Sequence, residues 1–432
     1  MKAILFDGSL ANDICGKRVC EALTLQLPGW DIEYVVLRDK KIGNCSGDFF
    51  CWIRSPGMCH LNDDNRELAG AIVTSDLLVY LTPVTFGGYS SVLKRMVDHQ
   101  IQNISPFFVQ IDGETHHVKR YENYPDFLVV GWMEKEDDKA GTVFRRLVQR
   151  NAINFYAQNF VSDVILTSQP DEHLAVSAKK WVRTLQNSRS SKLIGIPAEN
   201  ITCKGDIAIR RALLLVGSPR NRKSNSNSIG EYLFEQLNAQ GVESETVNLY
   251  TLLRSAEQME ALFSAIDSAD LVVLVFPLYV DSLPAPVIDV LEQIALNRQG
   301  REIRRQLFAA IANCGFPEAS QNATALTICE TFAGQTGFEW AGSMALGGGE
   351  VITGMPLDQG GGRTMRIRKS LELAAASLVK GQPISRAARE MMGKPAIPNW
   401  VYRMMGALSW RKQAKRFGVH ESINNQPYLG KP

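Results

Sequence analysis

The chain has 432 residues, with 47 Lys and Arg against 45 Asp and Glu, so its formal net charge is +2 with neutral histidines. A hydrophobic fraction of 45% and a charged fraction of 21% are typical of globular proteins and exclude a disordered or fibrous chain. The near balance of charge argues against a dedicated nucleic-acid-binding protein. No apolar run approaches the roughly 18 residues of a membrane span, and the apolar start is too short for an export signal. We therefore expect a cytoplasmic protein of two or three domains.

Three short apolar segments of the first half recur in the second half in the same order. Short apolar runs that end at glycine or proline are typical of buried parallel strands. The alternation of such runs with helical patterns predicts an α/β fold with parallel sheets covered on both faces. We conclude that one α/β domain occurs twice in tandem. The matched segments are Lys2–Ser9 with Ala212–Ser218, Asp76–Pro83 with Asp270–Pro277, and Phe127–Glu134 with Leu307–Gly315.

A polar connector over residues 188–210 separates the two halves. It predicts one domain over residues 1–205 and a second over residues 206–432. Each half then has about 200 residues, which is enough for one well-buried core.

The loop that opens the second half is the first candidate site. Ligands of open α/β sheets bind at the carboxyl ends of the strands, and this loop joins a strand to an amphipathic helix. A helix N-terminus attracts phosphate, whereas the glycine patterns of dinucleotide and nucleoside-triphosphate sites are absent from this loop. We therefore predict a site for one phosphate monoester; on the residues alone, a solvated helix cap is the alternative. The candidate ligands are Ser218, Arg220, Ser224, Asn225 and Ser226.

Two further loops of the second half are expected at the same edge. One contains Pro277, Leu278 and Tyr279, whose aromatic face suits a flat ring. The other runs through Asn313, Cys314, Gly315 and Phe316, where the glycine lets a ligand approach the backbone. Together these loops predict a flat pocket beside the phosphate site, although each is also compatible with a simple turn.

These motifs resemble those of NAD(P)H-dependent FMN reductases in the flavodoxin-like superfamily, over nearly all of residues 210–432. The first half resembles the same superfamily at Thr82–Tyr89 and Leu93–Asp98. The motifs that carry the resemblance in the second half are Gly217–Arg220, Ser224–Ser226, Pro277–Tyr279, Leu283–Pro286 and Cys314–Glu318.

The resemblance implies two tandem flavodoxin-like, doubly wound domains, each with a five-stranded parallel sheet. It implies FMN held by the candidate residues above, with NADPH or NADH as electron donor. Electrons would pass to a flavin, a quinone, another small molecule or a redox protein. No catalytic side chain is required, because the flavin carries the redox chemistry. The alternative is a flavodoxin-type electron carrier that never uses a nicotinamide directly.

The resemblance also bears on assembly, because reductases of this kind are commonly dimers. A fused tandem is then expected to form a pseudo-dimer within one chain, and further self-association is left open. The first copy departs from the pattern at its phosphate loop, where Asp13 opposes an anion unless Lys17 or Arg18 offsets it. We expect a degenerate first copy, with an FMN in it as the alternative.

A cysteine segment of the first half is similar to the cysteine-bearing loop of iron–sulfur flavoproteins. Cys45, Cys51 and Cys59 lie six and eight residues apart, and Asp48 stands where those relatives often have a cysteine. A zinc site or an incomplete cluster completed by Asp48 or His60 is one interpretation. We adopt a packed loop without metal. Farther along, His116-His117 is expected in a solvated loop.

The C-terminal segment, residues 382–432, holds nine Lys and Arg but two acidic residues. We expect it to pack against the second domain. Attraction of the NADPH 2′-phosphate and weak contact with a membrane surface are the other interpretations.

Overall fold

The computed structural model describes residues 1–187, 193–220, 223–252 and 255–429. The chain divides into two compact units, Met1–Gly195 with Arg403–Pro432, and Ile196–Tyr402. The start of the polar connector at Ser188, and Asn221 and Arg222 of the candidate phosphate loop, lie outside the described residues.

The first unit contains a five-stranded parallel sheet of order β2-β1-β3-β6-β7 and a separate hairpin, β4-β5. Its strands are β1 (Lys2–Asp7), β2 (Asp31–Val36), β3 (Leu77–Pro83), β4 (Ile104–Ile111), β5 (Glu114–Lys119), β6 (Asp126–Met133) and β7 (Phe160–Leu166). Its helices before residue 195 are α1 (Cys15–Thr24), α2 (Phe50–Ile53), α3 (Asn65–Val73), α4 (Ser91–Asp98), α5 (Asp138–Asn154) and α6 (Asp171–Asn187).

The second unit is built on a five-stranded parallel sheet of order β12-β11-β10-β8-β9. Its strands are β8 (Arg211–Val216), β9 (Glu243–Asn248), β10 (Leu271–Pro277), β11 (Leu307–Asn313) and β12 (Glu339–Leu346). Its helices are α7 (Asn225–Asn238), α8 (Leu249–Leu252), α9 (Ala256–Ser268), α10 (Ala285–Arg298), α11 (Ala323–Gln335), α12 (Met365–Leu378) and α13 (Arg386–Gly393). The last helix, α14 (Asn399–Arg416), begins in the second unit and lies in the first unit from Arg403 onward.

Both sheets have the strand order 2-1-3-4-5 when the sheet strands are counted within each unit. This is the order of the flavodoxin-like doubly wound fold, so the predicted fold class is confirmed. The central strands are continuously apolar because helices cover both faces: every residue of β3 and β10 before its final proline is buried. The three repeated segments form equivalent strands in the two units, β1 with β8, β3 with β10, and β6 with β11.

The segment around His117 is not the solvated loop that its polarity predicted. It forms the antiparallel hairpin β4-β5, in which His116 pairs with Val109 and His117 with Phe108. His116 is buried, and the His117 ring lies 4.7 Å from the Trp52 ring and 5.0 Å from the Phe108 ring, between ring centroids. The rings of Phe108 and Trp52 cover His117, and the polar sequence of β5 alone gave no sign of that.

The C-terminal segment divides between the two units. Residues 382–402 pack in the second unit, as the sequence favoured, with Ile384, Ala388 and Met392 in its core, whereas residues 403–432 pack in the first unit. Trp410 of α14 contacts the rings of Phe49 and Trp52, with centroids 5.3 and 5.4 Å apart. Farther on, the Arg120 guanidinium donates to the carbonyl oxygens of Ile423 and Asn425, at 3.1 and 2.8 Å. The part of the segment after Tyr402 therefore completes the first core, and the predicted extent of the second domain, to residue 432, differs from the compact unit that ends at Tyr402.

The imidazole of His117, covered by two aromatic rings, predicts a pH-dependent stability of the protein. Burial lowers the pKa of His117 to about 4 from an ordinary value of 6.5. Because unfolding exposes a more basic imidazole, stability should be fully present above about pH 6.5 and lost on acidification towards pH 4, by on the order of 3 kcal/mol from this residue. Guanidinium unfolding followed by tryptophan fluorescence across this range measures the loss.

The variant His117→Phe keeps a stacking ring and should flatten this pH dependence. The variant His173→Gln alters an exposed histidine of α6 and should leave it unchanged. An equal slope in wild type and His117→Phe would contradict the assignment.

Candidate functional site

The loop between β8 and α7 lies at the carboxyl edge of the second sheet. The Ser224 hydroxyl oxygen accepts the N–H of Asn227 at 3.1 Å and caps α7. Ser226, 1% exposed, accepts a hydrogen bond at 2.9 Å from the Asn313 side-chain amide. Ser218 is buried as well, whereas Arg220 is exposed. The loop thus combines a capped helix N-terminus with hydroxyl groups and a cation.

Asn313, the last residue of β11, ties three elements together. Its side-chain amide also donates to the carbonyl oxygen of Phe276, at 3.0 Å. Its own carbonyl oxygen accepts the N–H of Leu278, at 2.8 Å. The ends of β10 and β11 and the first turn of α7 are therefore joined at one residue, as expected for loops that share a sheet edge.

The loop that follows β12 closes onto the same edge. The Asn225 amide donates to the Gly349 carbonyl oxygen and accepts the Gly354 N–H, both at 2.8 Å. A Cβ on Gly354 would lie 2.3 Å from the Lys223 carbonyl oxygen, so no larger residue fits there. The Asn225 side chain is bonded at both ends to this loop, and its place in the structure is that of a positioning residue.

The turn after β10 has a strained backbone. Tyr279 and Ser282 exchange two backbone hydrogen bonds, at 2.9 and 3.0 Å. Between them, Val280 and Asp281 have φ angles of 44° and 59°. This region is unfavourable for residues other than glycine, most of all for a β-branched valine. Pro277, Leu278 and Tyr279 are partly exposed beside this turn.

The first unit keeps the same turn at the equivalent place. Thr85 and Gly88 exchange two backbone hydrogen bonds, at 3.0 and 2.7 Å, around Phe86 and Gly87, which both have positive φ angles. The left-handed turn after the third strand is therefore common to both copies.

The loop after β11 has a buried residue, Cys314, followed by two residues that reach the solvent. Cys314 is buried, its Sγ lies 3.5 Å from the Phe316 carbonyl oxygen, and burial raises the pKa of its thiol to about 12. Gly315 is exposed and Phe316 is partly exposed. A ligand at this edge would meet the backbone and ring of these two residues, while the Cys314 thiol stays protonated inside the protein.

Two residues of this edge were not found from the sequence. The Tyr402 hydroxyl lies 3.0 Å from the Gly315 carbonyl oxygen and also hydrogen-bonds the Glu350 carboxyl group. A Cβ on Gly315 would lie 2.8 Å from Glu350 Oε1. Glu350 directly follows the glycines of the loop after β12, which is a weak local signal. Tyr402 is 87 residues from Gly315, and no sequence pattern connects them.

The equivalent loop of the first unit is filled by its own carboxylates. Asp13 accepts the Cys15 N–H at 2.9 Å, at the start of α1, and the Trp132 indole N–H at 2.7 Å. Asp7 is buried and accepts the Ser9 N–H at 2.8 Å. A Cβ on Gly16 would lie 2.3 Å from Asp7 Oδ1, so this carboxylate sits against the first turn of α1.

The cations that might have offset Asp13 have other partners. The Arg18 guanidinium donates to Asp171 and to the carbonyl oxygens of Thr167 and Gln169, at 2.5 to 3.1 Å. Lys17 lies 3.9 Å from Glu21 on the surface of α1. The negative charge at this helix N-terminus therefore comes from the protein itself.

The sequence model of the family described as NADPH-dependent FMN reductase matches residues 1–108 and 210–328, slightly more than half of the chain. The chain belongs to the NADPH-dependent FMN reductase family. The two matched segments fall in the two units, which agrees with the repeat found in the sequence.

A curated relative matches a shorter stretch. An iron–sulfur flavoprotein of Methanocaldococcus jannaschii is 33% identical over 70 residues, which are 16% of this chain and 35% of that protein. The chain thus spans about a third of the length of this relative.

Solved structures of low identity share similarity with parts of the chain. An FMN-dependent NADH-azoreductase from Bacillus anthracis has 17% identity and a TM-score of 0.30, over 39% of this chain and 99% of that one. An NAD(P)H:quinone oxidoreductase from Methanothermobacter marburgensis has 18% identity and a TM-score of 0.29, over 38% and 98%.

The two units differ in how well they fit the FMN of the family name. FMN carries a phosphate monoester, which needs hydroxyl, cation and N–H donors at one place. The second unit offers such donors between Gly217 and Ser228, a stretch without an acidic residue. In the first unit, Asp7 and Asp13 already occupy the corresponding N–H groups. The second unit fits FMN, and the first does not.

The cysteine segment of the first unit forms a packed cluster of thiols. Burial raises the pKa of Cys45 to about 12 and that of Cys51 well above its ordinary value. Cys59 Sγ lies 3.6 Å from His99 Nδ1, and the Nε2–H of His99 donates to the Gly43 carbonyl oxygen at 2.7 Å. Nδ1 is then an acceptor, so the Cys59 S–H group donates a hydrogen bond to it.

The carboxylate of Asp48, beside these thiols, has hydrogen-bond partners of its own. Its two carboxylate oxygens accept the Ser46 hydroxyl at 2.7 Å and the Phe50 N–H at 2.9 Å. Within the described ranges, no group of three or more His, Cys, Asp and Glu is placed to hold a metal ion. None of the helices in the described part of the chain has the length and apolarity that a membrane crossing requires.

Glu350 provides a testable electrostatic property of the second unit. Although the residue as a whole is exposed, desolvation of its carboxyl group raises the pKa of Glu350 above 4.5. Folding then favours the protonated form, so this contribution to stability is present at low pH and lost as the pH rises through the raised pKa. Relative to Glu350→Gln, which keeps an acceptor for Tyr402, the wild type should lose free energy of unfolding as the pH is raised from about 4.5 through the raised pKa of Glu350.

Urea unfolding of both proteins across this range measures the difference. Glu350→Ala, which removes the acceptor as well, should be less stable than Glu350→Gln at both ends of the range. A difference between wild type and Glu350→Gln that stays constant with pH would show that Glu350 does not titrate in this way.

Proposed function

We propose that the protein is an FMN-dependent NAD(P)H oxidoreductase whose second unit binds the flavin. Electrons would pass from a nicotinamide to a flavin, a quinone or another small acceptor. The observation that carries the proposal is the loop between β8 and α7, which gathers hydroxyls and a helix N-terminus without a carboxylate. Family membership supports it independently.

The flavin phosphate would be held at the start of α7. The hydroxyls of Ser218, Ser224 and Ser226 and the guanidinium of Arg220 are the donors we assign to it. Asn225 would act one step away, since its amide holds the loop after β12 in place. Asn313 would position Ser226, whose hydroxyl oxygen it already contacts.

The isoalloxazine ring would be bordered by two loops at the same edge. Pro277, Leu278 and Tyr279 form one border, and Gly315 with Phe316 forms the other; all five are at least partly exposed. Asn313 and Cys314 would support the second border from within the protein, where both are buried.

Bound FMN would supply the redox chemistry, accepting a hydride from the nicotinamide and releasing electrons to the acceptor. The chain's own residues would bind and orient it.

We assign one flavin per chain. In the first unit the Asp13 carboxylate takes the place at the helix N-terminus that a phosphate would need, and a second anion there would be repelled. Flavin released from a known amount of purified protein, after saturation with FMN, should amount to one equivalent. Two equivalents would contradict the assignment to the second unit alone.

Donor use is tested by anaerobic addition of NADPH or NADH to the FMN-loaded protein. Loss of the oxidised flavin absorbance without a mediator is the expected result. A flavin that is reduced only by a partner protein would instead favour a flavodoxin-type carrier. A preparation that neither contains nor takes up FMN would overturn the proposal.

The phosphate site is tested by a single added charge. Asp and Asn both cap helices well, so Ser224→Asp and Ser224→Asn should both preserve α7. Because a carboxylate a few ångströms from a phosphate costs several kcal/mol, Ser224→Asp should weaken FMN binding by at least about 100-fold, and far more than Ser224→Asn does. Fluorescence titration of FMN measures the dissociation constants.

The charge control is Ser385→Asp at the cap of α13, where the Ser385 hydroxyl accepts the Ala388 N–H. It should leave FMN affinity unchanged. Equal affinities for Ser224→Asp and Ser224→Asn would place the phosphate elsewhere.

A further inference from the structure

The outer face of α14 in the first unit carries large apolar side chains in water. Met404, Met405 and Leu408 are 52%, 55% and 60% exposed. Residues three and four apart lie on one side of a helix, so Leu408 neighbours both methionines. Three large apolar residues together on one exposed helix side form a patch rather than scattered surface residues.

The next turns of the same face are cationic. Arg411, Lys412 and Lys415 follow Leu408 at spacings of three, four and seven residues, and all three are exposed. None of them forms an ion pair with a described carboxylate, and α14 contains no acidic residue. The face therefore changes along its length from apolar to positively charged.

The opposite face of α14 fixes this orientation. Trp410 packs on Phe49 and Trp52, and Ala414 is fully buried. A Cβ on Gly406 would lie 2.8 Å from the Phe108 ring, so the helix approaches the hairpin closely there. The apolar and cationic face cannot turn inward without breaking these contacts.

A groove opens beside the cationic turns. Its volume is about 540 Å³, and the Arg411 guanidinium lies 5.4 Å from the centre of the Phe107 ring. Lys412, Lys415 and His420 line it together with Ile423. One carboxylate, Glu421, also lines the groove, and the three cations outnumber it. Cationic and apolar side chains in one groove match the phosphate and glycerol parts of a phospholipid headgroup.

We propose that this docking face, formed by Met404, Met405, Leu408, Arg411, Lys412 and Lys415, binds the surface of an anionic phospholipid bilayer. The apolar residues would enter the boundary between headgroups and acyl chains, and the cations would meet lipid phosphates. A second copy of the chain is a poorer occupant, because a symmetric contact would bring two unpaired cationic clusters together. An acidic protein would form ion pairs with the cations, but it would not bury the apolar side chains of Met404, Met405 and Leu408.

Sedimentation of the full chain with vesicles tests the proposal. The protein should bind vesicles of equal parts phosphatidylcholine and phosphatidylglycerol, should not bind phosphatidylcholine alone, and should be released by salt. Lys412→Gln/Lys415→Gln should lower the partition coefficient about 25-fold, because each cation near an anionic surface contributes about fivefold. Met404→Gln/Leu408→Gln should lower it by at least about fivefold.

Matched controls come from α6, where Lys179, Lys180 and Val176 are exposed. Lys179→Gln/Lys180→Gln and Val176→Gln should leave the partition coefficient unchanged. The proposal is overturned if the wild type ignores anionic vesicles at low ionic strength, or if the control pair of lysines matters as much as the docking pair. Size-exclusion chromatography that shows a dimer dissociated by Met404→Gln/Leu408→Gln, without vesicle binding, would assign the face to a second copy. Equal binding to soluble polyglutamate would assign it to an acidic protein.

Discussion

In each unit, the site depends on the partial positive charge at the N-terminus of one helix, which the surrounding residues or a ligand must compensate. In both copies the helix after the first strand starts at the carboxyl edge of the sheet, where its first N–H groups have no partner within the helix. In the first unit, the carboxylate of Asp13 accepts one of these N–H groups, that of Cys15. In the second unit, the neutral hydroxyl of Ser224 accepts the N–H of Asn227 instead. No carboxylate of the loop then compensates the partial positive charge. The chain thus contains two copies of the same helix N-terminus: a carboxylate neutralises its partial charge in the first unit and not in the second.

Asn313 links the parts of the second site that the structure describes. Buried amides must be hydrogen-bonded, and this one joins the Ser226 hydroxyl to the end of β10. Asn225 does the same for the loop after β12. Both side chains tie neighbouring loops of this edge together, which reduces the conformational freedom that the linked residues lose when a ligand binds.

The strands and the loops that follow them were predictable because their signals are local. An apolar run closed by Gly217 or Pro277 shows where a buried strand ends, and parallel strands place those ends at one edge. Side-chain partners were not predictable in the same way. Nothing in the pattern around Asn225 indicates that its amide is bonded at both ends, and Tyr402 reaches Gly315 across 87 residues. The apolar side of the C-terminal segment indicated packing, but two similar cores were available and the sequence could not distinguish them.

That segment has a consequence for the order of assembly. Trp410 and Ile423 belong to the core of the first unit, yet they follow the entire second unit along the chain. During translation, the ribosome completes the second unit before it supplies these residues. The first unit to leave the ribosome is therefore the last to finish folding, and until then Phe49 and Trp52 lack one of the side chains that cover them.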